Sequence, residues 1–370
     1  MKIEPFELER LLSVWQNKVE YYITDSGVDA LHMHEFITED ELLDLYRTVP
    51  LRYIQTDGPP PLKEAICQLY DGASPENVFV TNGTSEANFI ILWRYIEPGD
   101  EVVLAYPNYL HVPGLAATFG AKVKVYHRRE VDSWAPDLVE LRGQVTPQTR
   151  LIYVCNPHNP TGAILSENGM REIVRVAEEV GAWILADEVY RGAELAGDMT
   201  PSFWGLYDKV LVTGGMSKAF ALPGLRLGWV IGPREVLDEI WPYHDYTTIT
   251  TNALSQHLAQ LALRPDTRAR IRQRIRELSA GNLQVLTDWV NEHPHTLRLV
   301  PPKICGVAFV GYDLPVNSTD LIMQLIHDKS VLVAPGDVFG IDGYFRVGYG
   351  SSELLPGLKR IGEKLAELGA

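Results

Sequence analysis

Cysteine is scarce in this sequence: Cys67, Cys155 and Cys305 are the only three in 370 residues. Odd in number and far apart, with no metal-ligand spacing, they argue against a disulfide framework and fit free thiols in a reducing compartment. Positive charge is short as well. Against 48 aspartates and glutamates stand 33 lysines and arginines, a formal net charge of −15. Nucleic acid and anionic membrane both need a basic face, so neither is expected as a partner, and small-molecule chemistry is favoured. No apolar run reaches the ~18 to 20 residues of a spanning helix. The opening residues, MKIEPFELER, carry acids where a signal peptide has its apolar stretch. A cytoplasmic protein is the expectation.

What is present suits a globular enzyme. At 46% hydrophobic and 22% charged, the chain has the composition of an ordinary folded protein and enough length for two domains. From Val78 onward, short apolar runs alternate with amphipathic ones: VFVT before SEANFIILWRYI, EVVLA before YLHVPGLAATFG, RLIYVC before SENGMREIVRVAEEVGA, then WILADEVY, KVLVTGG and LGWVIG. Such alternation predicts βαβ units and an α/β fold, a mostly parallel sheet covered by helices on both faces. The run TRARIRQRIRELSAGNLQVLTDWVNEH keeps apolar residues at helical spacing and predicts a long helix leading out of that sheet. Beyond it, GVAFVGY, VLVAPG and YFRVGYG read as strands of a smaller α+β domain. The expected division is a large domain over 46–270 and a small one over 1–45 and 271–370, the latter including an N-terminal arm.

Ligands of such sheets bind beyond the carboxyl ends of the strands. Gly83, Thr84 and Ser85 follow a strand and open a helix, which suits either an anion site or a plain capped turn. Tyr109 stands just after another strand, placed to stack on a planar ring or to join the core. In NPHNPTG two prolines and a glycine make a rigid turn, but they leave the second asparagine, Asn159, unexplained. Asp187 ends an apolar strand, where an acid needs a cation or a helix to cap, and Tyr190 follows three residues on. Ser217, Lys218 and Arg226 lie in GGMSKAFALPGLRLGW. A lysine in such surroundings must find a partner, lose its proton or be consumed by covalent chemistry. Arg346 is a lone arginine amid strand formers, suited to a carboxylate clamp or to a structural ion pair.

In this order, NPHNPTG, DEVY and SKAFALPGLRLGW resemble the fold type I pyridoxal-phosphate enzymes, specifically the class I/II aminotransferase superfamily, and the resemblance runs from about Tyr53 to Arg346. It implies pyridoxal 5'-phosphate as cofactor and Lys218 as the Schiff-base lysine and proton carrier. Asp187 would pair with the pyridine nitrogen, Asn159 and Tyr190 with the ring oxygen, and Tyr109 would stack on the ring. Arg226, Ser217 and the Gly83, Thr84, Ser85 turn would hold the phosphate. Tyr53 would reach the phosphate of a partner subunit, implying a homodimer with shared sites, and Arg346 would clamp the substrate carboxylate. Many members carry serine where this chain has Gly215, which leaves the phosphate cup one hydroxyl short unless Thr213 or a backbone N–H substitutes.

The implied reaction is transfer of an α-amino group between an amino acid and a 2-oxo acid. A second reading starts at Gly27, expected over the substrate, where SGV resembles capreomycidine synthase and implies elimination and ring closure on an arginine-derived amino acid. A guanidinium substrate would need an acid near the pocket, with Asp29 and Glu35 as candidates; a dicarboxylate would need a second arginine. His32 and His34, in HMH, lack a third ligand at a convincing spacing, so no metal site is expected.

Overall fold

A computed structural model describes residues 3–369. Its strands are β1 (Tyr21–Tyr22), β2 (Val78–Thr81), β3 (Glu101–Tyr106), β4 (Lys122–His127), β5 (Thr149–Cys155), β6 (Trp183–Asp187), β7 (Val210–Gly215), β8 (Gly228–Ile231), β9 (Leu297–Leu299), β10 (Val307–Tyr312), β11 (Val331–Leu332), β12 (Ala334–Pro335) and β13 (Tyr344–Gly348). Seven of them form one sheet in the order β2-β8-β7-β6-β5-β3-β4. Only β8 runs antiparallel to its neighbours, so β2, β3, β5, β6 and β7 all end at the same edge. Their near-continuous apolar runs follow from cover on both faces. Every residue of β7 and all but one of β5 are buried.

The covering helices are amphipathic at the expected spacing. In Glu167–Val180, Met170, Ile173, Val174 and Ala177 face the core; Ser166 caps the start by accepting from the Gly169 N–H (3.1 Å), and Gly181 ends it at φ +70°. One apolar core lies on each side of the sheet, around Ile152, Ile184 and Val212 on one face and Leu104, Leu185 and Val230 on the other.

A further core gathers Ile23, Leu286, Val310, Ile322, Phe345 and Leu358 around the four-stranded sheet β12-β13-β10-β9. The long helix predicted from the sequence spans Pro265–Asn291 and runs from the first core, through Ile271 and Ile275, to the last, through Leu286 and Val290. Val28, Phe36 and Ile37 also pack in the large-sheet core. We propose two domains, joined by this helix and by the N-terminal arm.

Two long-range pairings bring chain ends to the large sheet's carboxyl edge. β1 pairs in parallel with β11, delivering Thr24, Asp25 and Ser26. β13 carries Arg346 opposite Phe309 and Ala334. Gly348 lets these two segments touch, since a Cβ there would lie 2.1 Å from the Asp25 carbonyl oxygen. The stretch VLVAPG, expected as one strand, divides into β11 and β12 in separate sheets.

Candidate active site

A cleft of about 510 Å3 opens at this carboxyl edge, within the usual range for a small-molecule site. Thr84, Ser85, Tyr109, Asn159, Asp187, Tyr190, Ser217, Lys218, Arg226 and Arg346 all line it. Tyr109, Asn159, Asp187, Tyr190, Ser217 and Lys218 come from the end of a strand or the segment after it, Thr84 and Ser85 from the first turn of the helix Gly83–Tyr95, Arg226 from just before β8, and Arg346 from within β13.

Lys218 follows β7, with its side chain only 22% exposed and Nζ 3.5 Å from Asp25 Oδ1. Burial lowers its pKa; Asp25 opposes the shift and Arg346 adds to it. Burial alone would raise the Asp25 carboxyl, but the cations Lys218 and Arg346 outweigh it and hold the group below its ordinary value. Solvent still reaches Asp25, whose side chain is 57% exposed.

Asp187, at the end of β6, is buried and pushed up by that burial. The Val189 N–H (3.2 Å), Asn88 Nδ2 (3.3 Å) and Tyr153 OH (3.3 Å) donate to it. Among the described residues it makes no ion pair, so a carboxylate is desolvated without a cation. Arg346 is the converse case: 2% exposed, a cation without an ion pair among the described residues. Its Nη1 donates to Asn159 Oδ1 (3.0 Å), its Nη2 to the Thr24 carbonyl (2.8 Å), its guanidinium lies 5.0 Å from the Phe339 ring centre, and its buried Nε has no partner.

At the other end of the cleft, the helix Gly83–Tyr95 presents the unpaired N–H groups of its first turn beside Thr84, Ser85 and Ser217. Gly83 has φ +80°, and a Cβ there would lie 2.9 Å from Arg226 Nη2, so the guanidinium is held against bare backbone. Thr213 does not take part, because its hydroxyl donates to Asn88 Oδ1 (3.2 Å) away from this turn. At Gly215 a Cβ would stand 3.3 Å from Thr84 Cγ2 and 3.1 Å from the Leu227 carbonyl. Thr84 therefore crowds the space a serine side chain would need.

Tyr190 OH donates to the Ser26 carbonyl (3.0 Å), and Tyr109 OH to Glu9 Oε1 (2.8 Å). Gly27 packs beside Lys218 and Ser217 without lining the cleft. Tyr53 lies outside it and is 78% exposed. Of the suggested acids, Glu35 pairs with Arg274 (2.9 Å) and Asp29 accepts from the Ser352 N–H (2.9 Å), both away from the cleft. The acids that do line it, besides Asp187, are Glu9 and Asp25. Neither belongs to a motif, and the wall formed by the helix Glu7–Trp15 had no sequence signal beyond its amphipathic spacing. His32 and His34 stack on each other at 5.7 Å outside the cleft, and no group of potential metal ligands occurs among the described residues.

A family model described as aminotransferase class I and II matches residues 48–358. The chain belongs to that family. Capreomycidine synthase from Streptomyces vinaceus is 34% identical over 292 residues, covering 78% of this chain and 74% of that protein. An aspartate aminotransferase from Streptomyces avermitilis is 29% identical over 343 residues, 85% and 82% of the two chains. Among solved structures, a PLP-dependent aminotransferase from Streptococcus suis superimposes with a TM-score of 0.91 at 34% identity, covering 100% of this chain and 98% of its own.

The cofactor of this aminotransferase is pyridoxal phosphate. Its cleft fits that group on three counts: a desolvated acid lacking a cation at Asp187, a buried amine at Lys218, and an anion cradle of bare backbone, hydroxyls and a guanidinium around Gly83. No helix among the described residues is long and apolar enough to cross a membrane.

Proposed function

We propose that this aminotransferase moves the α-amino group of an amino acid to a 2-oxo acid, with Lys218, Asp187 and Arg346 as its central residues. Their convergence on one cleft carries the reading, with Asp187 and Arg346 lacking an ion pair among the described residues and Lys218 lowered in pKa by burial. When bound, pyridoxal phosphate supplies an electron sink for the pair left when a bond to the substrate Cα breaks. Asp187 would hold the proton on the pyridine nitrogen, for which a buried carboxylate without another cation is well suited. Lys218 would anchor the cofactor through its amine and, once freed, carry a proton to and from the substrate Cα. Its lowered pKa leaves more of the amine neutral and able to accept that proton. Gly83, Thr84, Ser85, Ser217 and Arg226 would bind the phosphate. Arg346, kept in place by Asn159 and the Thr24 carbonyl, would orient the substrate through its carboxylate. Tyr109 and Tyr190 would hold the ring between the Glu9 and Ser26 contacts.

A homodimer is part of this reading. Tyr53 lies outside its own cleft and is exposed, as are Tyr46, Leu51 and Tyr246, and exposed large apolar side chains support a partner surface. Cytoplasmic residence rests on the acidic composition and the scarce cysteine. The second reading, elimination and ring closure on an arginine-derived amino acid, is favoured by the 34% identity to a protein named capreomycidine synthase. One experiment separates the two: the cofactor-loaded protein is mixed with a panel of amino acids, without any 2-oxo acid, and its absorbance and products are followed. Stoichiometric conversion of the cofactor to its pyridoxamine form, with release of one 2-oxo acid, supports transfer. Turnover with the cofactor left as the aldehyde refutes it and promotes the second reading.

A further inference from the structure

A count of charges in the cleft leaves two carboxylates over. The cations lining it are Lys218, Arg226 and Arg346, and the acids are Glu9, Asp25 and Asp187. His111 adds no charge at neutral pH, because burial lowers its pKa to about 4. On the roles proposed above, Arg226 faces a phosphate, Arg346 a carboxylate, and Asp187 a pyridine N–H. Lys218 would be the neutral amine that accepts the substrate's Cα proton, so on these roles Asp25 loses the nearer of the two cations that depress its pKa. Glu9 makes no ion pair among the described residues and accepts only from Tyr109 OH (2.8 Å). Both acids line the cleft with Tyr22, whose hydroxyl is pushed up to about 12, chiefly by burial, then by Asp25, and further by Glu9.

The rest of the wall left for a substrate side chain is mixed. Phe6, Tyr22 and Leu12 give it an apolar surface, and Ser13 and Gln16 give it neutral hydrogen-bonding groups. No second free arginine lines the cleft among the described residues, so a distal carboxylate would meet two anions and no cation.

We infer that the substrate is an amino acid with a cationic side chain, a guanidinium or an ammonium, received by Glu9 and Asp25. This inference rests on the amino-acid reading of the site and deepens it. A guanidinium or ammonium restores the charge balance of the cleft, and its apolar stem suits the Phe6 and Tyr22 surface.

The test titrates the cofactor-loaded protein with arginine, with citrulline as its neutral near-isostere, and with glutamate, reading dissociation constants from the cofactor's absorbance. Lysine and glutamine make a second pair. In the parent protein arginine is expected to bind at least about tenfold tighter than citrulline. In Glu9→Gln, which keeps an acceptor for Tyr109 and removes the charge, that ratio is expected to fall toward one with citrulline little affected. Asp25→Asn is expected to lower the ratio as well, while keeping an acceptor for the Gly27 N–H. Equal binding of arginine and citrulline, tighter binding of glutamate, or a ratio unchanged in both variants overturns the inference and leaves the amino-acid reading standing. If no amino acid perturbs the absorbance, that reading fails, and the inference with it.

Discussion

Replacing Arg346 with lysine keeps the charge and removes the planar fork, and the structure allows the loss to be divided into parts. In the parent, Nη1 and Nη2 each donate one bond inward, to Asn159 and to the Thr24 carbonyl, leaving the buried Nε and the remaining N–H groups for a ligand. A lysine ammonium has three donors at a single point and cannot serve both inner acceptors and a carboxylate in that geometry. The substrate should lose one of two charge-assisted hydrogen bonds, about 1.5 to 3 kcal/mol, or roughly 10- to 150-fold in its dissociation constant. The inner acceptor left unpaired costs a further ~1 to 3 kcal/mol of folding stability. Spectral titration of the loaded enzyme with its substrate measures the first, and urea unfolding of the cofactor-free protein the second. A change in substrate affinity below about threefold, with the fold intact, would place the substrate carboxylate elsewhere and refute the assignment.

Further outcomes follow from the same geometry. Lys218→Ala should fold and bind cofactor only reversibly, so borohydride treatment should leave no covalent label; a retained label would refute the lysine's role. Asp25→Asn removes the group that raises the Lys218 pKa, so in the cofactor-free protein the pH midpoint for reaction of Lys218 with an aldehyde should fall further below the ordinary lysine value. An unmoved midpoint would disprove that coupling. Glu188, fully buried beside Asp187, has its pKa raised by burial from 4.5 to about 7 despite Arg191. Between those values the folded state holds a proton the unfolded chain has lost, so this contribution to stability declines as pH rises through the window. Relative to Glu188→Gln, the parent should lose about 3 kcal/mol on going from below pH 4.5 to above pH 7. A gap between the two unfolding curves that does not vary with pH would contradict this. Gly215→Ser should crowd Thr84 and the Leu227 carbonyl and destabilise the fold by about 1 to 3 kcal/mol, checked by thermal unfolding with and without cofactor. Recovery by a second change, Thr84→Ala, would identify the crowded partner.

Much of the large sheet was legible because its strands are buried on both faces, so runs such as RLIYVC and KVLVTGG stand out between turn residues. The residues from Gly83 to Arg226 were legible for a related reason: turns at strand ends carry polar groups that no ordinary core requires. The antiparallel placement of β8 left no mark, since GWVI reads the same in either direction. VLVAPG was read as one strand because periodicity does not report a change of partner after Leu332. Glu9 and Asp25 were missed for a deeper reason. Asp25 reaches the cleft through pairing with residues some three hundred positions away, and Glu9 is one of several acids along the helix Glu7–Trp15. Asp29 and Glu35 were equally plausible acids until Ser352 and Arg274 were seen to engage them.

The N-terminal helix and the segment after β1 lie far in sequence from the turns between Gly83 and Arg226, yet they meet in one cleft, Glu9 at Tyr109, Asp25 at Lys218 and Ser26 at Tyr190. On the proposed roles, the groups that would receive a substrate side chain and those that would hold the cofactor are thus written on separate stretches of the polypeptide but joined by direct contacts. A change of preference through residues 6–26 is therefore constrained at Glu9 and Asp25, whose side chains touch Tyr109 and Lys218, and freer at Leu12, Ser13 and Gln16, which also line the cleft. Exchange of residues 12–16 between relatives, with Glu9 and Asp25 kept, has a change of preference and an unchanged cofactor spectrum as its expected readout.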